Sequence, residues 1–154
     1  MKTLFRTNNS LAPTLARLTL GVVFFPHGAQ KVLGWFGGHG FTATMHSFTQ
    51  YMHIPAVFAV LAIAAEFLGS LGLITGFLAR LSALGIAVNM AVAIALVHHV
   101  NGFFMNWQGN QKGEGIEYHL LAIGLALIVI FYGAGKLSVD GAIAGKKGKV
   151  EKKA

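Results

Sequence analysis

A single carboxylate interrupts a long apolar run, and this run constrains the fold more than any other feature of the chain. Residues 55–77 have the sequence PAVFAVLAIAAEFLGSLGLITGF, with Glu66 near the middle. About 20 apolar residues are enough for a helix to cross a bilayer. A charged group at that depth is costly, so Glu66 is expected to face a protein interior or a water-filled cavity. The run therefore predicts an integral membrane protein, with Glu66 as a first candidate for function.

The composition favours the same class. Of the 154 residues, 55% are hydrophobic and 11% are charged, which is too little charge for the surface of a small soluble domain. The absence of cysteine excludes thiol nucleophiles and iron–sulfur ligation by this chain. The net charge of +7 comes largely from a lysine-rich tail that suits an anionic membrane surface. Nothing in the sequence resembles a nucleic-acid-binding module, so no nucleic acid is expected as a partner.

Four apolar segments are predicted to cross the lipid bilayer as an all-α, four-transmembrane-helix bundle that forms one domain, residues 1–154. Each segment is close to the length that a membrane crossing requires. A basic tail, residues 141–154, follows the last of them. The predicted spans are approximately residues 13–34, 55–76, 79–100 and 117–137.

The basic residues predict the orientation of these spans. Lysine and arginine are enriched on the cytoplasmic side of membrane proteins. Both termini are therefore predicted to lie in the cytoplasm of a multi-pass protein of the cell (inner) membrane, and the two longer loops to face outward. The residues on the cytoplasmic side would be Lys2, Arg6, Arg17, Arg80, Lys136, Lys146, Lys147, Lys149, Lys152 and Lys153, against Lys31 and Lys112 on the outer side.

The outer loops carry amphipathic and aromatic patterns. In the first loop, apolar residues recur at helical spacing and histidines repeat every seven residues on the opposite face, which predicts a helix lying in the membrane interface. The second loop contributes aromatic residues to an outer belt. The apolar set is Phe41, Met45, Phe48 and Met52; the histidines are His39, His46 and His53; the belt is Trp35, Phe36, Phe103, Phe104 and Trp107.

Candidates for ligand binding or proton transfer gather at the outer rim. His27 and Lys31 are four residues apart, so they lie on one helical face. Glu117 shares a stripe with Gly124 and Gly135, which is predicted to be a close-packing face that turns Glu117 inward. An imidazole, an ammonium and a carboxylate at one depth would bind a polar headgroup and move protons, or would form an ion pair that locks two helices.

Three more histidines extend this candidate set. His98 and His99 end the third span, and His119 begins the fourth. Adjacent helical residues point about 100° apart, so His98 and His99 cannot both face the bundle axis. His27 with any of these three would supply the histidine pair that holds a haem, and imidazoles also bind metal ions, so haem and a metal ion are secondary cofactor candidates. No residue is assigned as catalytic.

A polar cluster of Arg17, Glu66 and Asn89 is predicted within the membrane. Asn89 lies at the centre of the third span, at the depth of Glu66, and is a natural hydrogen-bond partner for it. Arg17 lies nearer the cytoplasm, but its long side chain reaches inward. If Arg17 pairs with Glu66, the carboxylate is expected to be charged; if only Asn89 does, it is expected to be protonated. The cluster would serve to hold the helices together or to relay protons.

Three segments of this chain, in this order, resemble the DoxX family over residues 14–141: ARLTLGVVFFPHGAQKVLGWFGG, AAEFLGSLGLITGFLARLSALG and GIEYHLLAIGLALIVIFYGAGKLSVDG. The resemblance implies a four-helix membrane protein, often the small membrane component of an oxidoreductase system. Related members form part of a thiosulfate:quinone oxidoreductase. Ser138 and Asp140 are expected to cap or anchor a helix end. The polar positions of the family fall on Arg17, His27, Lys31, Glu66, Glu117, Ser138 and Asp140.

Three functions remain open from the sequence. The first is a membrane subunit of a quinone-linked oxidoreductase system, which binds quinone or a small redox ligand near the outer membrane face. The second is a non-catalytic anchor or assembly factor for a redox partner, either soluble or membrane-bound. The third is a small-solute or metal transporter, for which four short helices leave little room unless the chain forms a homo-oligomer.

Overall fold

Every regular element in the described part of the chain is helical. The computed structural model describes the backbone of residues 4–151 and the side chains of residues 4–145. Two stretches of altered helical winding, Ile94–His98 and His99–Asn101, prolong the fourth helix, and Ser47–Tyr51 prolongs the second. The helices are α1 (Leu11–Leu33), α2 (Gly40–His46), α3 (Ala56–Thr75), α4 (Ala79–Ala93), α5 (Glu117–Tyr132) and α6 (Val139–Glu151).

Part of the predicted cytoplasmic charge lies outside the described residues. This holds for Lys2, Lys152 and Lys153, and for the side chains of Lys146, Lys147 and Lys149. The basic tail predicted at residues 141–154 begins within helix α6, which starts at Val139.

The four longest apolar helices form a ring with buried polar groups inside and apolar side chains outside. Helices α1 and α4 each pack against both α3 and α5. Small and branched residues fill the centre, among them Ala83, Ile86 and Ala126. Outward-facing residues such as Leu68 and Leu121 are apolar and well exposed, and so large an apolar surface is typical of contact with lipid.

Two of the four predicted spans have the length and composition of a membrane crossing. They are Ala56–Thr75, with 20 residues, and the continuous stretch Ala79–Asn101, with 23 residues. Helix α5 is apolar but has only 16 residues, which corresponds to about 24 Å. The fourth span, predicted to reach residue 137, is therefore too long: the helix ends at Tyr132, where Gly133 adopts φ 82° and ψ −164°.

The turn between α3 and α4 is held by a residue from the far end of the chain. Gly76 and Leu78 both adopt left-handed backbone angles there, with φ of 69° and 48°. The carboxylate of Asp140 accepts hydrogen bonds from the backbone N–H groups of Leu78, at 2.8 Å, and Ala79, at 2.9 Å. Asp140 thus anchors a helix end as expected, but the helix is α4 rather than the last span.

Candidate functional site

A groove of about 1610 Å³ runs along α3 and α4. It extends from Phe48 and Met52, at the end of the bundle that carries the two long loops (the loop end), to Phe77 at the tight turn. Helices α1 and α5 contribute lining residues only near the loop end, where four helices rather than two line the groove; this four-helix part is called the deep end. The deep end is lined by Phe24, His27, Lys31, Tyr118 and His119 from these two helices.

Glu66 ties three helices together on the wall of this groove. Its side chain is only 8% exposed. Oε2 of Glu66 lies 2.5 Å from Nζ of Lys31 on α1, and Oε1 accepts a hydrogen bond of 2.8 Å from Nδ2 of Asn89 on α4. Asn89 is thus the partner that its depth in the third span suggested. Both carboxylate oxygens are occupied, as a buried carboxylate requires.

Close backbone contact between α1 and α3 brings Lys31 within reach of Glu66. A Cβ atom placed on Gly28 would lie 2.6 Å from Cα of Phe67 and 2.7 Å from its N atom. Only glycine permits this approach. Lys31 lies one helical turn further along α1, which places its ammonium group beside the carboxylate.

Arg17 is buried but does not belong to the Glu66 cluster, contrary to the expectation from its reach. Its side chain is 1% exposed. The guanidinium donates five hydrogen bonds, all to backbone carbonyl oxygens at the ends of α3 and beyond α5. Helix C-termini expose unpaired carbonyl groups that carry partial negative charge. These groups lie close to the Arg17 guanidinium, whereas Glu66 lies further along the bundle, so the carbonyl groups bind the cation. The acceptors belong to Leu73, Ile74, Ala134, Lys136 and Leu137.

The start of α5 places two polar side chains at the deep end of the groove. His119 is 5% exposed, and its ring centroid lies 4.1 Å from that of His98. The ring of Tyr118 stacks on that of Phe24, at 6.1 Å between centroids. Within the described residues, Oη of Tyr118 and Nδ1 of His119 are buried without a hydrogen-bond partner. Such atoms are rare in folded proteins and need an explanation.

His98 connects this end of the groove to the second long loop. Its Nδ1 lies 2.8 Å from the carbonyl oxygen of Glu114. His99, in contrast, is exposed, contacts the Ile94 carbonyl at 3.2 Å and does not line the groove. One member of the adjacent pair therefore faces the site, which agrees with the angular argument from the sequence.

Glu117 does not join His27 and Lys31, contrary to the sequence prediction. Its Oε1 accepts hydrogen bonds from the backbone N–H of Met105, at 2.9 Å, and from Nε1 of Trp107, at 3.2 Å. The close-packing stripe is wrong at Gly124, which is exposed and where a Cβ would meet no atom within 4 Å; Gly135 does pack closely, against Thr14, but it lies beyond the end of α5. Glu117 holds the second long loop because unpaired N–H groups of that loop lie nearest to it.

The first long loop departs from its predicted pattern at its end. Met52 and His53 both line the mouth of the groove, although the sequence pattern placed them on opposite faces of one helix. The altered winding at Ser47–Tyr51 interrupts the regular spacing, so the two faces do not continue beyond it. His46 is exposed and its ring contacts Tyr51, at 5.5 Å between centroids.

Tyr118 is the site residue that sequence reasoning missed. It lies between two candidates, Glu117 and His119, but was itself assigned no role. A tyrosine inside the first turn of a predicted span, next to a histidine, was the signal that pointed to it. Among residues with described side chains, no group of three or more histidine or acidic residues is arranged to hold a metal ion.

The fold and the groove define an all-helical membrane protein with an amphipathic cavity that reaches buried polar groups. The DoxX family model matches residues 12–99 of this chain. An uncharacterized protein of Haemophilus influenzae is 31% identical over 128 residues, which cover 82% of this chain and 79% of that relative. The chain belongs to the DoxX family. No solved structure matches it.

Proposed function

We propose that the chain crosses the membrane four times, with the loop end outward and both termini in the cytoplasm. The apolar outer surface of the ring supports lipid contact around all four helices. Arg17, Arg80 and Lys136 lie at the end with the tight turn, and basic residues favour the cytoplasmic side. Reporter tags fused to each terminus test this topology in intact cells; tags found on opposite faces, or both outside, would overturn it.

We propose further that the protein is the membrane subunit of a quinone-linked redox system and holds a quinone in the α3–α4 groove. The observation that carries this proposal is the shape of the groove: it has a long apolar wall, and its deep end bears hydrogen-bonding groups from α1 and α5. A quinone needs an apolar channel for its tail and polar groups at its two oxygens. A separate redox protein would supply or remove the electrons.

The charge of the groove favours a neutral headgroup over a phosphate. Lys31 is the only lysine or arginine among the described residues that line it, and its ammonium is already paired with Glu66. A phospholipid headgroup would need an unpaired cation to compensate its charge in a site of low polarity. A quinone carries no charge and makes only hydrogen bonds.

The test is extraction of the purified protein into organic solvent, followed by chromatography for quinones. A decyl-substituted benzoquinone is then titrated into extracted protein. Ala62→Trp, in which the indole would fill the groove, is expected to lose the bound quinone, whereas the matched control Val57→Trp is expected to keep it. Val57 lies on the same helix, is 61% exposed and does not line the groove. Absence of native quinone together with no binding of the added compound would remove the proposal.

A second candidate, a non-catalytic anchor for a redox partner, is favoured by the second long loop. Glu114 and Glu117 accept hydrogen bonds from three of its backbone or indole N–H groups, so the loop is held in one conformation. It nevertheless exposes Phe103, Phe104 and Trp107, the last at 85%. If anchoring is the whole function, Trp107→Ala reduces cross-linking to a partner in intact membranes while Ala62→Trp changes nothing measurable. The reverse pattern would exclude it.

A further inference from the structure

We infer that the ligand headgroup is held by Oη of Tyr118 and Nδ1 of His119, which together select a ring with oxygen substituents. This inference rests on the proposed quinone-binding function and names the residues that recognise the ligand. Glu66 is not assigned as the primary contact, because each of its oxygens already has a partner, whereas Oη of Tyr118 and Nδ1 of His119 have none.

The two atoms are the buried side-chain nitrogen and oxygen atoms, among the described residues that line the groove, that have no hydrogen-bond partner. In the part of the chain that the structure describes, both atoms are buried and neither meets hydrogen-bond geometry with a protein partner; the contact between the His119 ring and the backbone of Gly115 falls outside that geometry. Both residues line the deep end of the groove, and their ring centroids are 5.6 Å apart in an edge-to-face arrangement. Leaving such a group unpaired costs about 1–3 kcal/mol, so a site that keeps two of them is built to pair them with a ligand.

The chemistry of the two atoms matches the two redox states of a quinone. The hydroxyl of Tyr118 donates to a carbonyl oxygen or accepts from a quinol hydroxyl, and Nδ1 of His119 does either, depending on its tautomer. Phe24 lies beside Tyr118 and supplies an aromatic face against which a ring packs. The same pair therefore binds the ligand before and after its reduction.

Tyr118→Phe and His119→Phe test the inference, because each removes one polar atom and keeps an aromatic ring. Each is expected to weaken binding of decyl-benzoquinone about fivefold to tenfold, the usual effect of one hydrogen bond. The matched controls are Tyr132→Phe and His99→Phe, which change exposed residues of the same types outside the groove. Both controls are expected to bind as the unaltered protein does.

The stability of Tyr118→Phe without ligand distinguishes a role of Tyr118 in ligand recognition from a role in holding the fold. Because the Tyr118 hydroxyl has no partner, the ligand-free Tyr118→Phe variant is expected to melt at the same temperature as the unaltered protein or higher. Added quinone is expected to raise the melting temperature of this variant less than that of the unaltered protein. With a ¹³C-labelled quinone carbonyl, the infrared stretching band is expected to shift on binding, and this shift is expected to shrink in Tyr118→Phe.

The outcomes distinguish this inference from the function on which it rests. If quinone binds and neither substitution weakens it, the headgroup assignment is wrong and the proposed function stands. If no quinone binds to the unaltered protein, both fall. If the extract contains phospholipid that competes with quinone and is unaffected by either substitution, the assigned ligand class is overturned.

Discussion

Nζ of Lys31 and Oε2 of Glu66 lie 2.5 Å apart and join α1 to α3 through an ion pair on the groove wall. Asn89 adds α4 to the same carboxylate. One glutamate therefore fixes the relative positions of three helices around the deep end of the groove.

Removal of the Lys31 ammonium is expected to destabilise the bundle and to be partly rescued by a second change. Lys31→Met leaves the Glu66 carboxylate without its cation, at a cost of about 1–3 kcal/mol, below the value for a fully buried pair because Lys31 is 24% exposed. The double variant Lys31→Met/Glu66→Gln removes the unpaired charge and should recover part of this loss. Unfolding free energies of the two single variants and the double variant, measured in detergent micelles, form a double-mutant cycle, with Lys112→Met as control. If the losses of the single variants simply add in the double variant, Lys31 and Glu66 are not coupled.

Gly28→Ala is expected to force α1 away from α3. The added methyl group would meet backbone atoms of Phe67, which cannot move aside as a flexible side chain would. The Lys31–Glu66 contact should weaken as a result, with a loss of about 1–3 kcal/mol, typical of overpacking. Gly124→Ala is the matched control, because the new methyl group meets nothing and alanine favours helix by about 0.5–1 kcal/mol. Thermal unfolding compares them, and equal melting temperatures would contradict the close approach.

Asp140→Ala is expected to loosen the start of α4. The side chain accepts two backbone hydrogen bonds there, and loss of a capping residue costs about 0.5–2 kcal/mol. Asp140→Asn retains one acceptor oxygen, so its stability should lie between that of the unaltered protein and that of Asp140→Ala. Hydrogen exchange at Leu78 and Ala79 measures the effect locally, and Lys136→Ala, which changes an exposed neighbouring side chain, is the control. Unchanged exchange at these two amides would show that the cap is dispensable.

Glu117→Ala is expected to release the second long loop without unfolding the bundle. The substitution removes the acceptor for the Met105 amide and the Trp107 indole. In a Trp35→Phe background, the anisotropy of Trp107 fluorescence should decay faster in this variant than in the Lys112→Ala control. If Glu117 instead acted on a ligand in the groove, quinone binding would fall while the anisotropy stayed the same.

The helices were predictable from the sequence, whereas their side-chain partners were predictable only in part. Long apolar runs define α3 and the stretch after it, and the depth of Asn89 identified its contact with Glu66. Lys31 was placed at the outer rim with His27, and Arg17 was grouped with Glu66 and Asn89 as one of two alternative partners of the carboxylate. Arg17 instead donates to carbonyl groups at the end of α3, and the close approach at Gly28 brings Lys31 to Glu66; periodicity alone reveals neither contact.

The loop contacts were the least predictable part of the site. Glu117 begins a helix, and the sequence gives no sign that two N–H groups from residues 105 and 107 return to it. Asp140 likewise reaches a turn more than sixty residues earlier in the chain. Such contacts are made by residues distant in sequence, so local spacing contains no information about them.

The hydrogen bonds of Arg17 have a consequence for biogenesis. Three of its five carbonyl acceptors belong to residues 134–137, which leave the ribosome last among the elements of the ring. In the proposed four-span topology, α1 inserted alone would until then expose a guanidinium to hydrocarbon with most of its protons unsatisfied. Under that topology, stable insertion of the first helix would await synthesis of the end of the bundle, and chains truncated before Ala134 should be substrates for membrane quality control.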